Sequence, residues 1–288
     1  MIPRPFAYHA PDTLKGIIAL LSLHGDQAKL LAGGHSLLPM MKLRFAGPEH
    51  LIDLRLVQEL RGIVLAGDEI RIGAMTTEHE VVASSLLAEH VPLLVETARQ
   101  IADPQVRYRG TIGGDISHGD PGNDHPAVML ALNASFVLAG PSGERIVAAA
   151  DFLLGTYATA MEQDEVMTQI RIPRPSAGSG ACYAKLKRKT GDYATAAAAV
   201  VVRLQHNLCA EISIALTNLA PAAMRATAAE AHLLGKSVDE AAIVQAGKLA
   251  SEACDPAADL RGDEAYKRAM AGQMVQRALR TALKRSYG

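Results

Sequence analysis

Residues 28–44 read AKLLAGGHSLLPMMKLR, and residues 101–126 read IADPQVRYRGTIGGDISHGDPGNDHP. In the first stretch a short apolar strand, Ala28 to Ala32, runs straight into Gly33-Gly34. Ser36 to Arg44 then resumes at helical spacing, with Pro39 tolerable in the first turn. Strand, glycine turn and helix start therefore follow one another directly. A Gly-Gly turn lets main-chain N–H groups approach an anion with no Cβ in the way. It also permits positive φ, so successive N–H groups can point into one concavity. A helix that begins right after it adds its positive end. The second stretch repeats the device at Thr111-Ile112-Gly113-Gly114-Asp115, and Ser36 and Thr111 add hydroxyl donors. Two such turns together can hold a pyrophosphate, although each pair alone is equally an ordinary tight turn. Neither is a Rossmann G-x-G-x-x-G and no Walker P-loop occurs, so a dinucleotide here requires another fold.

Outward from these turns the chain alternates short elements. Thr13 to His24 reads as an amphipathic helix stopped by Gly25, and His50 to Leu54 as a strand. Ile63 to Leu65 and Glu69 to Ile72 flank a hairpin turn, and Thr77-x-x-Glu80 is a capping box. Leu93 to Ile101 has helical spacing after Pro92. Asp103 to Pro126, dense in glycine and proline, reads as one long polar loop, costly inside a compact domain unless it binds something. Ala127 to Asn133 reads as a short helix. A hairpin spans Ser135 to Ala148, a strand runs from Val166 to Ile172, and Arg174 to Gly180 is the best linker. Three strands follow (Ala181 to Lys187, Thr195 to Leu204, Cys209 to Thr217). Then come three helices (Ala222 to Leu234, Val238 to Ala253, Asp263 to Ser286). Strands followed by helices indicate an α+β C-terminal domain.

With 288 residues the chain exceeds one minimal core. Its net charge of −1 gives no electrostatic reason to expect nucleic acid or an anionic membrane as partner. No apolar run reaches transmembrane length, and no apolar N-terminal signal is visible. The three cysteines, Cys182, Cys209 and Cys254, are scattered and unpaired in sequence. They suit a reducing, cytoplasmic setting, and they are too few for a cluster with four Cys ligands. His118, Asp120, Asp124 and His125 are metal-ligand types gathered in the second loop, but their spacing matches no zinc signature. No G-x-S-x-G occurs, and no cysteine sits beside an evident base.

The runs Ala32 to Ser36 and Thr111 to Asp115 resemble the paired FAD-pyrophosphate motifs of molybdenum-hydroxylase flavin subunits, within the wider vanillyl-alcohol-oxidase group. Lys29 to Arg44, Ile101 to Asp124 and Lys185 to Ala196 (KLKRKTGDYATA) resemble the carbon monoxide dehydrogenase medium-subunit branch, and length and element order agree throughout. The resemblance implies a two-part FAD-binding domain of the vanillyl-alcohol-oxidase type (1–56 and 57–176) followed by a C-terminal flavoprotein domain of antiparallel strands and helices (177–288).

It also implies roles. Lys29, Leu30, Leu31, Ala32, Gly33, Gly34, His35 and Ser36 would line the pyrophosphate and adenine-ribose side. Thr111, Ile112, Gly113, Gly114 and Asp115 would hold the other side, Asp124 would meet ribityl or ribose hydroxyls, and Ile101 and Met167 would pack near the adenine or ring. Lys187 would lie at the flavin's polar edge and Tyr193 beside the isoalloxazine. Plainer readings stand beside these: His35 as a loop residue, Lys187 as solvent-exposed, Tyr193 and Met167 as packing residues. Asn is commoner than Asp at the position of Asp115, and a carboxylate near a pyrophosphate is unfavourable unless a donor or water intervenes. The implied partners are a large subunit with a molybdenum–pterin cofactor and a small subunit with [2Fe-2S] clusters, in a dimer of heterotrimers. Electrons pass from those clusters to FAD and on to an acceptor such as quinone. The activity of the whole is carbon monoxide oxidation or, in related subunits, oxidation of an aldehyde or a nicotine- or quinoline-type heterocycle. An autonomous flavoprotein oxidase and a plain nucleotide-binding module are the competing classes. Association with the inner face of the membrane is left open.

Overall fold

The computed structural model describes residues 1–286. The first part is a three-stranded parallel sheet of β1 (Ala7–His9), β2 (Ala28–Leu31) and β3 (His50–Asp53), in the order β1-β3-β2. The helix Leu14–His24 covers it. Thr13 caps that helix by accepting from the Gly16 N–H at 3.2 Å, and Gly25 closes it at φ 52. Ile17 and Leu21 carry its buried face against Ala28, Ile52 and Leu54. Each such side chain contributes about 1.5–3 kcal/mol of burial.

The second part is an antiparallel sheet. It contains the hairpin β4 (Ile63–Ala66) and β5 (Glu69–Gly73), then the hairpin β6 (Ser135–Gly140) and β7 (Gly143–Ala148). A small ribbon, β8 (Leu153–Gly155) with β9 (Ala158–Thr159), leads into β10 (Val166–Pro173). β10 lies between the two hairpins, giving the order β4-β5-β10-β6-β7. The helices Pro92–Ala98, Ile112–His118 and Asp124–Ala131 bury their apolar side chains in one cluster with Ile70, Ile72, Phe136 and Ile170.

The stretch 103–126 is not the single loop that its glycine content suggests. Asp103 caps the helix Pro104–Arg107, and Thr111 caps Ile112–His118 through the Gly114 N–H at 3.3 Å. A third helix begins at Asp124, ahead of the expected Ala127. Gly113 and Gly114 lie within this helix, and position 113 has no room for a larger residue: a Cβ on Gly113 would lie 2.5 Å from Ala74 Cβ. Glycine placed for close approach looks, in sequence, like glycine placed for a turn.

The third part is the antiparallel sheet β11 (Ser179–Leu186), β12 (Ala196–Gln205), β13 (Leu208–Thr217) and β14 (Met224–Arg225), in that order. The β12–β13 turn uses His206 and Asn207, both at positive φ (52 and 62), as a tight hairpin requires. β12 is buried on both faces. Ala197 and Ala199 pack toward the second part, whereas Ala196, Ala198, Val200 and Val202 face the helices Thr227–Leu233, Glu240–Ala253 and Glu264–Ser286. That double burial accounts for an alanine-rich strand. The first of these helices starts at Thr227, later than the expected Ala222, because Met224 and Arg225 pair with β13 instead.

The helix Glu264–Ser286 lies so close to β11 that a Cβ on Gly180 would fall 1.9 Å from the Ala282 carbonyl oxygen. Gly180→Ala should therefore cost about 1–3 kcal/mol as an overpacking change. The check is the denaturant midpoint of the purified chain, and an unchanged midpoint would contradict this packing.

Candidate functional site

A cleft of about 920 Å³ opens between the C-terminal end of β2, the start of the helix Ile112–His118, the β8–β9 ribbon, β10 and the loop at 191–193. The two diglycine turns meet in its wall. A Cβ on Gly33 would lie 2.4 Å from the Arg109 carbonyl oxygen and 2.7 Å from Gly110 Cα, and one on Gly114 would lie 3.4 Å from Ala32 Cβ. Main chain is thus pressed on main chain. Gly34 adopts φ +79, a conformation that L side chains rarely take.

The turns differ in their hydrogen bonds. In the second, the Ile112 and Gly113 N–H groups donate to Thr76 O and Ala74 O (3.0 Å each), and Glu78 N–H donates to Gly110 O at 2.9 Å. The Gly114 N–H is taken by Thr111 Oγ1. In the first, among the described residues, the N–H groups from Gly33 through Leu37 have no hydrogen-bond partner. Ser36 makes no side-chain cap bond either. The free donor row therefore belongs to the first turn alone. The second turn contributes the Thr111 hydroxyl, which still has its proton to give, and a rigid main-chain wall.

Of the residues expected at the site, Lys29, Leu30, Ala32, Gly33, Gly34, His35, Ser36, Ile101, Thr111, Gly113, Gly114, Asp115, Asp124, Met167 and Tyr193 line this cleft. Three do not. Leu31 packs under Gly34, Ile112 is core, and Lys187 stands behind the wall with its Nζ donating to Gln100 O at 3.2 Å. Burial and then Lys185 lower the Lys187 pKa. His35 folds back on its own loop, Nδ1 3.0 Å from Gly33 O. Tyr193 is 43% exposed, with the Arg261 guanidinium 5.3 Å from its ring centroid. Burial, then Asp120 and Asp115, push its hydroxyl up to about 12, so it stays protonated at neutral pH.

Asp124 reaches the cleft with its carboxylate already engaged by the protein. Its carboxylate accepts from the Tyr183 hydroxyl and from Lys185 Nζ at 2.6 Å, and both charged side chains of that ion pair are buried. Its oxygens therefore brace the wall. Removing one member of such a pair costs about 3–5 kcal/mol, because the other charge is left buried and alone. Lys185 itself lines the cleft, two residues before Lys187. Beside this pair, His125 Nε2 lies 2.7 Å from Glu78 Oε2, again wholly buried. Burial disfavours the imidazolium, but Glu78, with help from Asp115 and Asp124, more than offsets that and pushes His125 up to about 9. These bonds occupy Asp124 and His125, and Asp120 accepts from Gly122 N–H and the Tyr157 hydroxyl. Asp120, Asp124 and His125, three of the four metal-ligand types in this stretch, are thereby drawn to different partners.

Asp115 reaches the cleft, but its Oδ2 is closed off from solvent and has no hydrogen-bond partner. Burial foremost pushes its carboxyl up to about 8, against the pull of His125. The shift favours the neutral, proton-carrying form, which brings less negative charge to the cleft and has an O–H to donate. It eases the conflict that a carboxylate next to a pyrophosphate would raise. Sequence reading gave no flavin-site role to Tyr183, Lys185, Glu78, His125 or Tyr157; Glu78, His125 and the strand carrying Tyr183 and Lys185 are distant in sequence and meet only through packing. The three cysteines are buried and free, with burial foremost pushing their thiols up to about 11, 11 and 12 for Cys182, Cys209 and Cys254.

An unpartnered donor row, a main-chain cradle that any Cβ would fill, and a protonated carboxyl fit a dinucleotide pyrophosphate and its flanking hydroxyls. Fold and cleft together define the class, an FAD-binding flavoprotein domain. The family profile for the FAD binding domain in molybdopterin dehydrogenase matches residues 4–175, and that for the CO dehydrogenase flavoprotein C-terminal domain matches residues 181–282. The chain belongs to this family of molybdopterin-dehydrogenase flavin subunits. The solved carbon monoxide dehydrogenase from Hydrogenophaga pseudoflava that lacks the Mo-pyranopterin moiety matches at TM-score 0.98 and 58% identity, over 99% of each chain. The carbon monoxide dehydrogenase medium chain of Afipia carboxidovorans is 50% identical over 99% of each. Quinoline 2-oxidoreductase from Pseudomonas putida 86 matches at TM-score 0.94 and 34% identity, over 100% of each chain.

The Asp115 proton has a consequence for stability. The folded carboxyl holds it up to about pH 8, whereas the unfolded chain releases it near 3.8. The folded state binds more protons across that window, so stability falls as pH rises from about 4 to about 8. Asp115→Asn removes the penalty. Its melting-temperature advantage over the flavin-free parent should grow across this range, and a pH-independent difference would contradict the assignment.

Proposed function

We propose that this chain is the FAD-carrying electron-transfer subunit of a molybdenum hydroxylase that oxidises carbon monoxide to carbon dioxide. The observation that carries this reading is the run of unpartnered N–H donors from Gly33 to Leu37, facing Thr111 across a cleft walled by main chain. In support of carbon monoxide as substrate, the identities to carbon monoxide dehydrogenase chains are 58% and 50%, against 34% for the quinoline enzyme. Residues 1–56 and 57–176 would form the two halves of the flavin-binding part and 177–288 the C-terminal domain.

The protein's own residues would act as follows. The Gly33–Leu37 N–H groups and the Ser36 and Thr111 hydroxyls bind the diphosphate; Lys29 and Leu30 border the adenine-ribose side. Asp115 donates to or accepts from a chain hydroxyl. Ile101 and Met167 give apolar walls, and Tyr193 limits access to the ring. Lys185, with Lys187 behind it, supplies positive potential at the polar edge while Asp124 holds Lys185 in place. FAD, when bound, supplies the exchange between one-electron and two-electron transfer. The electrons would come from [2Fe-2S] clusters on a small subunit, fed by a molybdenum–pterin site on a large subunit, in a dimer of heterotrimers. They would leave to a quinone at the cytoplasmic face of the membrane. The scattered, buried cysteines suit this division, because this chain offers no cluster ligands of its own.

The native assembly, purified and assayed with carbon monoxide and a dye acceptor, should reduce the dye and carry large and small partners. Turnover of an aldehyde or N-heterocycle without carbon monoxide turnover would move the chain to that branch. Gly33→Val should lose nearly all bound flavin, since its Cβ would strike the Arg109 carbonyl and force the two turns apart; normal flavin content would contradict the site. Tyr193→Ala should keep FAD but change its rate of re-oxidation by oxygen or dyes, and an unchanged rate would remove Tyr193 from the access route.

A further inference from the structure

Away from the flavin cleft, three histidines from distant positions converge on one face of the N-terminal sheet. His9 ends β1, His24 is the last residue of the helix Leu14–His24, and His50 opens β3. β1 and β3 are parallel with Ala7 opposite His50, so His9 stands two residues further along on the same face. The helix packs onto that face through Ile17 and Leu21, and this brings its C-terminal histidine over the strand pair.

The His24 and His50 rings stack at 3.6 Å between centroids and 13°, and the His9 ring lies 5.3 Å from His50 and 5.5 Å from His24. His9 Nε2 is 3.1 Å from His50 Nδ1. One ring nitrogen from each of the three lies within 4.8 Å of the others, and each residue is partly exposed.

We infer that His9, His24 and His50 form a binding site for a single divalent transition-metal ion, with Zn²⁺ the species whose chemistry fits best. Zinc–nitrogen bonds of about 2.0–2.1 Å in a tetrahedron put ligand nitrogens about 3.3 Å apart. The His9–His50 pair is already at 3.1 Å, and the other separations close by rotation of partly exposed rings. An all-imidazole set selects ions of the zinc, copper and nickel kind and disfavours calcium and magnesium, which want oxygen. Partial exposure leaves a fourth position for water.

The ion would clip the outer strand β1 to the helix end and to β3. None of the three histidines lines the flavin cleft. The site lies at the start of β2, about 16 Å along the strand direction from Gly33. Its role is structural, and it stands apart from the flavin reading.

The test uses the full FAD-loaded chain, stripped with EDTA and titrated calorimetrically with Zn²⁺. One ion per chain should bind. His9→Gln and His24→Gln should each abolish that uptake while leaving flavin content and visible spectrum unchanged. Absence of stoichiometric uptake by the unsubstituted chain, or uptake that persists in either variant, overturns the site. Co²⁺ added to the unsubstituted chain gives a readout that needs no substitution: the strong visible bands of a four-coordinate site are expected, and only the weak spectrum of hydrated Co²⁺ would overturn it.

Discussion

The contact of the Gly33 main chain with the main chain of Arg109 and Gly110 is the constraint on which the rest depends. It joins the parallel sheet to the helical layer of the antiparallel sheet with no side chain between them. Close-packed interiors leave no slack for even one added carbon at such a place. The second turn is held from behind by its bonds to Ala74, Thr76 and Glu78, so the wall against which Gly33 rests is itself fixed. What remains free to meet a ligand is the unpartnered face of residues 33–37.

From that constraint follows a division of labour between two motifs that look alike. One turn leaves its donors unpartnered, and the other commits them to the protein. Buried main-chain donors without partners are costly, so a row of them is stable only at a surface where water or a ligand replaces the missing acceptors. The charges beneath obey the same economy. Glu78 with His125 and Asp124 with Lys185 are paired, and burial shifts Asp115, beside them, toward its protonated form. Both effects lessen the repulsion that an anionic cofactor would meet there.

The turns, the capping box at Thr77 and both hairpins of the second sheet were legible because each is written in contiguous residues with local physics. The same holds for most cleft residues near Gly33 and Gly114. Asp103 to Pro126 reads as a loop because Gly113, needed against Ala74, and Gly114, close against the capping Thr111 hydroxyl, dilute the helical period. Lys185 and Lys187 are alternate residues that the sequence alone does not tell apart, and only the depth of burial beside Asp124 distinguishes Lys185. Tyr183, Glu78 and His125 had no local signature at all. Their partners lie 34 to 59 residues away in sequence and are brought together by helix-on-sheet packing.

Site-resolved amide hydrogen exchange, with and without FAD, measures the difference between the two turns directly. Binding should strongly protect the N–H groups from Gly33 to Leu37 and leave Ile112 and Gly113, already bonded to Thr76 and Ala74, as slow as before. New protection at Ile112 and Gly113, with none at 33–37, would contradict the account.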